Sequence, residues 1–126
     1  MRHLFAELGS PAACVLGLGR NGHLGLNEPG SVLHPHAHVA RLTEASRSHA
    51  MLSGMKDPPT TGMTLGMADI LTAREILLLV TGTGKEKPAG QLLGGEISTH
   101  FPASFLHLHR RVTVMLDNTA IPREQP

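Results

Sequence analysis

CVLGLGRNGHLGLNEPGS, residues 14–31, joins an apolar run to a loop in which Gly17, Gly19, Gly22 and Gly25 recur within nine residues. The run from Ala12 to Leu18 is apolar with turn-forming residues on both sides, the pattern of a central strand in a parallel sheet. A loop at the carboxyl end of such a strand is where open α/β sheets bind ligands. The glycines permit positive φ and let backbone N–H groups approach a small molecule closely. His23 lies in the middle of this loop, and Glu28 follows five residues later, just before Pro29-Gly30 folds the chain back. A carboxylate so placed can orient the imidazole and tune its proton affinity for acid–base work near neutrality. Asn21 adds a side-chain acceptor for His23. Without Glu28, a histidine among glycines would read equally well as a structural residue.

Working outward, EILLLVT from Glu75 to Thr81 predicts a second central strand, and Val112 to Leu116 a third. Short helices are expected over residues 43–51, with Thr43 as N-cap, over 68–73 and over 101–109. Another is expected from about Lys85 to Leu93, where Pro88 must fall in the first turn. Leu4, Phe5 and Leu8 give an amphipathic lead-in over residues 1–11. The core is expected to span about residues 12–117, with a disordered tail over 118–126. A chain of 126 residues, 40% hydrophobic but with only three phenylalanines as aromatics, builds its interior from aliphatic side chains. That suits an α/β fold whose strands carry helices on both faces.

Charge excludes several classes. Eleven basic residues against ten acidic ones give a net charge of +1, with neither sign clustered, so no nucleic-acid footprint is visible. No apolar run reaches membrane-spanning length and no secretory h-region is present. The single Cys14 within an apolar run fits a reducing compartment, with the cytoplasm as the default.

Other motifs read less well as chemistry. Gly17-x-Gly19-x-x-Gly22 matches a dinucleotide fingerprint, but Gly25, Pro29 and Gly30 prevent the helix whose N-terminus would hold a pyrophosphate. Gly82-Thr83-Gly84-Lys85 lacks P-loop spacing, with Leu79 where the first glycine belongs and Glu86 in place of Ser or Thr. It still offers a glycine turn and a cation near a helix start, suited to one phosphate. His34, His36 and His38 alternate on one side of an extended segment, yet nothing beside them completes a metal set, so a solvated edge face is expected; His107 and His109 read alike.

GRNGHLGLNEPGS resembles the signature of the glucosamine-6-phosphate deaminase/isomerase family. The segments TLGMADILTAREILLLVTGTGK, FPASFLHLH and VTVMLD are similar in order and spacing, nearest to the galactosamine-6-phosphate isomerase branch. The resemblance implies the C-terminal half of a parallel-sheet sugar-phosphate isomerase that converts an amino-sugar 6-phosphate to a keto-sugar phosphate and ammonia, without metal or organic cofactor. It implies that His23 opens the sugar ring by moving a proton between the C1 hydroxyl and the ring oxygen, with Glu28 assisting. Asn21 stands where the family usually has Asp and so brings no second negative charge. Lys85 matches the phosphate-binding lysine, and Gly22 lies with it among the substrate-binding positions. Leu52 stands where many glucosamine-type members place an arginine against the phosphate. The family's N-terminal half, with its phosphate loop and carbon-acid base, has no counterpart here, so a missing half or a homo-oligomer is the expected partner. A 6-phosphogluconolactonase-type hydrolase and a non-catalytic sugar-phosphate sensor are the alternatives.

Overall fold

The computed structural model describes residues 2–47 and 54–122. Its elements run α1 (Arg2–Leu8), β1 (Ala13–Gly17), β2 (His38–Arg41), α2 (Glu44–Arg47), β3 (Thr61–Thr64), α3 (Met67–Leu71), β4 (Glu75–Val80), α4 (Glu86–Leu93), a 3-10 helix (Pro102–Leu108) and β5 (Val112–Leu116). The three apolar runs form one parallel sheet in the order β1-β4-β5. Leu16 pairs with Leu78, and Leu78 with Val114, so β4 is central.

Alternation along β4 decides the layering. Ile76, Leu78 and Val80 are buried on one face, where α3 contributes Met67 and Ile70, α4 contributes Ala89 and Leu92, and the 3-10 segment contributes Ala103 and Leu106. Pro102 opens that 3-10 helix at a position with no need of an N–H donor. Pro88 falls in the first turn of α4, as its sequence position demands. The other sheet face departs from expectation: Val15 is 62%, Leu79 38% and Met115 56% exposed. Among the described residues, helices therefore cover one face of the sheet, and the expected second layer is absent. In α1, Leu4 and Leu8 are exposed as well.

β2 falls in the segment expected to be extended, but its antiparallel pairing with β3, with Val39 opposite Met63, is not announced by the sequence. The pair matters because it anchors the loop after β1. Residues 34–35 also accept the first N–H groups of α3, with Met67 N donating to the His34 carbonyl at 2.9 Å. Gly66 makes that approach possible, since a Cβ there would lie 2.4 Å from His36 backbone atoms.

Two expectations need correction or restriction. Residues 118–122 are ordered rather than a loose tail: Ala120 is fully buried, and the Asp117 carboxylate accepts from Thr119 and Ala120 N–H at 2.9 Å. Residues 123–126, position 52 and the second half of the helix expected over 43–51 lie outside the described residues.

Candidate active site

The loop leaving β1 closes on itself before it presents any side chain. Gly19 N donates to the His23 carbonyl and Gly22 N to the Gly19 carbonyl, both at 3.0 Å, so the chain turns tightly around residues 19–23. Gly22 has φ +86°, and a Cβ on it would stand 2.2 Å from the buried Phe101 ring. Its carbonyl accepts from Ala103 N at 2.9 Å. With both backbone groups committed inside the protein, Gly22 packs the loop against the 3-10 segment rather than offering its N–H to a ligand.

The far side of the loop is held by β3. Asn27 is buried, and its amide nitrogen donates to the carbonyls of Leu24 at 2.9 Å and Leu65 at 2.8 Å. Thr64 Oγ1 accepts from Leu26 N at 3.1 Å. These contacts fix where Glu28 emerges, and the sequence reading missed their role. The Asn-Glu-Pro run carried a signal for Asn27, whereas nothing local marked Thr64.

Within this frame Asn21, His23 and Glu28 come together. Asn21 Nδ2 donates to Glu28 Oε2 at 2.8 Å, while Asn21 Oδ1 lies 2.7 Å from His23 Nδ1 and 3.2 Å from His23 N. An ionised carboxylate only accepts, so the atom facing Glu28 must be the amide nitrogen, and Oδ1 must face the imidazole. Oδ1 in turn only accepts, so the neutral ring carries its proton on Nδ1 and its lone pair on Nε2. Glu28 Oε2 stands 3.8 Å from Nδ1, beyond direct hydrogen bonding. Its influence on the ring thus runs through Asn21 and through space, where the sequence suggested direct orientation. His23 and Glu28 side chains retain 30% and 18% exposure, enough for a ligand to reach an otherwise enclosed pair.

Lys85 comes to the same end of the sheet from β4. The ends of β1 and β4 are adjacent, with Gly17 opposite Leu79, and Lys85 Nζ donates to the Leu18 carbonyl at the root of the His23 loop. Burial, and then the nearby Arg20 charge, hold the ammonium below the ordinary lysine pKa. Gly82 and Gly84 take φ +86° and +79°, the left-handed geometry that only glycine adopts without strain. Asp117, at the end of β5, braces this turn by accepting from Gly82 N at 2.8 Å. The hydrogen bonds from Gly82 N–H and from Thr119 keep its carboxyl below the usual carboxylate range.

The other histidines singled out in the sequence, His34, His36, His38, His107 and His109, have local partners. His36 Nδ1 lies 3.0 Å from Asp69 Oδ1, the His34 and His38 rings stack with centroids 4.3 Å apart, and His109 Nε2 contacts the Ala73 carbonyl at 2.7 Å. Burial works against the Asp69 carboxylate, but hydrogen bonds from His36, Gly66 and Ala37 prevail and lower its pKa. Among the described residues, no group of three or more His, Cys, Asp or Glu side chains is placed to hold a metal. Cys14 is half-buried, and burial raises its pKa, so it packs as a thiol.

Comparison with known proteins follows the same lines. The family model described as glucosamine-6-phosphate isomerases/6-phosphogluconolactonase matches residues 1–115. The chain belongs to this family. It is 49% identical over 115 residues to the protein named "Putative deaminase AgaI" of Escherichia coli K12, covering 91% of this chain and 46% of that one. Glucosamine-6-phosphate deaminase 1 of Bacillus subtilis 168 is 41% identical over 119 residues, covering 93% and 49%. A solved monomeric glucosamine-6-phosphate deaminase of the NagB superfamily superposes with a TM-score of 0.87 at 41% identity, over 94% of this chain and 50% of that one. The Trypanosoma brucei 6-phosphogluconolactonase shares the fold at a TM-score of 0.64 and 23% identity, over 90% of this chain and 44% of that one. The chain thus spans about half the length of the curated family members it matches.

Proposed function

We propose that this chain supplies the ring-opening and phosphate-holding part of an amino-sugar 6-phosphate isomerase/deaminase. The observation that carries the reading is the Asn21-His23-Glu28 chain of contacts at the end of β1, which leaves the imidazole lone pair on Nε2. Nε2 takes the proton of the C1 hydroxyl and returns it to the ring oxygen as the C1–ring-oxygen bond breaks. Asn21 and Glu28 steady the ring while it is transiently cationic. Lys85 holds the 6-phosphate, and galactosamine and glucosamine 6-phosphates are the substrate class. Isomerisation and loss of ammonia then require a base at C2. Asp69 is committed to His36 and Asp117 to the Gly82 turn, and the resemblance assigns the C2 base to the family's N-terminal half, so we take it from another segment, of the kind that fills the uncovered half of the relatives. The domain is then one sugar isomerase domain of which residues 1–126 are a part, working in a reducing cytoplasm. Likeness to the lactonases extends to fold alone, and nothing at His23 favours hydrolysis over ring opening.

The test is the rate of anomer exchange of glucosamine 6-phosphate, followed by magnetisation-transfer NMR with the 126-residue protein. His23→Gln is expected to remove the acceleration, a loss of at least about a hundredfold. An unchanged exchange rate in that variant would refute the role of His23.

A further inference from the structure

Arg20 sits between the two halves of the site and belongs to none of the roles described so far. Its guanidinium lies against the Gly84 backbone: Nε, Cζ and Nη2 are 3.5, 3.6 and 3.8 Å from where a Gly84 Cβ would stand. Lys85 reaches in the opposite direction, from the start of α4 to the Leu18 carbonyl two residues before Arg20. The two cations therefore cross between the β1 loop and the glycine turn after β4. Neither has an acidic partner among the described residues, where the ion pairs are His23–Glu28, His36–Asp69 and Arg111–Glu75. Two neighbouring positive charges repel, and that repulsion is relieved when a dianion enters between them. A planar fork on one side and a compact ammonium on the other can bind different oxygens of one phosphate.

We propose that Arg20 is a second cation of the phosphate site, acting with Lys85 on the dianionic phosphomonoester of the sugar substrate. This rests on the assignment of Lys85 above. It makes phosphorylated sugars, rather than free amino sugars, the preferred ligands of this loop pair.

Calorimetric titration of the 126-residue protein with glucosamine 6-phosphate, and with unphosphorylated glucosamine as control, separates the possibilities. Arg20→Ala is expected to weaken the phosphorylated ligand at least about tenfold, the lower end for hydrogen bonds to a charged group, and to leave the control unaffected. Arg20→Lys, which keeps the charge without the fork, is expected to recover part of the loss. If Lys85→Ala weakens binding and Arg20→Ala does not, the proposal for Arg20 is overturned while the Lys85 assignment stands. If neither substitution changes affinity, or the unsubstituted protein does not discriminate between the two sugars, both fall.

Discussion

Gly19→Ala separates the chemistry of the loop from its stability. An added Cβ would stand 2.2, 2.4 and 2.5 Å from Nδ1, Cε1 and Cγ of His23. Ordinary contact needs roughly 3.5 Å, so the imidazole has to retreat by about 1 Å or more. That movement disrupts the 2.7 Å contact to Asn21 Oδ1, which fixes both the ring orientation and its tautomer. A misplacement of about 1 Å at a reacting group costs on the order of a hundredfold in rate. The fold should suffer little, because Gly19 is not among the positive-φ glycines and the His23 side chain is 30% exposed, with solvent beside it. A stability change within about 1 kcal/mol is expected, partly offset by the smaller unfolded-state entropy of alanine. Gly22→Ala gives the opposite balance: φ +86° and a 2.2 Å collision with buried Phe101 combine backbone strain and overpacking, about 2–5 kcal/mol together. Anomer exchange by NMR and thermal melting by circular dichroism measure the two effects. Wild-type exchange in Gly19→Ala, or a wild-type melting temperature in Gly22→Ala, would refute the placement of the loop.

Because burial and Arg20 lower the Lys85 pKa, the ammonium is lost as pH rises sooner than on an exposed lysine. Sugar-phosphate affinity should therefore fall earlier on the alkaline side, and affinity that stays flat to about pH 10, near the ordinary lysine value, would contradict it. Asp117 has the opposite sign logic: its lowered pKa means that its bracing is fully present above the ordinary carboxylate range and disappears as pH falls through the lowered value. Asp117→Asn should speed hydrogen exchange at Gly82 N–H near neutrality, and the difference from wild type should vanish in acid. Replacing exposed Val15 and Met115 with threonine should reduce self-association seen by analytical ultracentrifugation without changing the circular dichroism spectrum. Ammonia release from either hexosamine 6-phosphate should be undetectable with the 126-residue protein, and robust release would show that the C2 base lies within it.

The sheet was legible because its three strands are short apolar runs closed by glycine or polar residues, and β5 falls on the expected Val112–Leu116. The position of Lys85, after a glycine turn between a strand and a helix, was legible for a similar local reason. What escaped the sequence is non-local. The β2–β3 pair joins His38 to Thr64, 26 positions apart, and β3 reads as Thr-Gly-Met-Thr, which has no alternating apolar face to announce it. Helices on both faces were inferred from aliphatic composition, which measures how much apolar surface exists and says nothing about where its cover comes from.

The site divides along the same line. Placing His23 and Glu28 near each other followed from five residues of spacing and the break at Pro29-Gly30. The order of the contacts did not, because Asn21 reads in sequence as a weakened substitute for a charge. In the structure its two-ended amide does what a second carboxylate could not do unprotonated: it donates to Glu28 and accepts from His23 at once. An aspartate at position 21 would face Glu28 at about the same 2.8 Å with no proton to offer, so the two carboxylates could stay this close only by sharing one. The amide thus keeps Glu28 engaged without a shared proton. The price of that arrangement is a weaker field on the imidazole than a second charge would give, and Gly19 beneath the ring leaves the space that keeps it against Asn21.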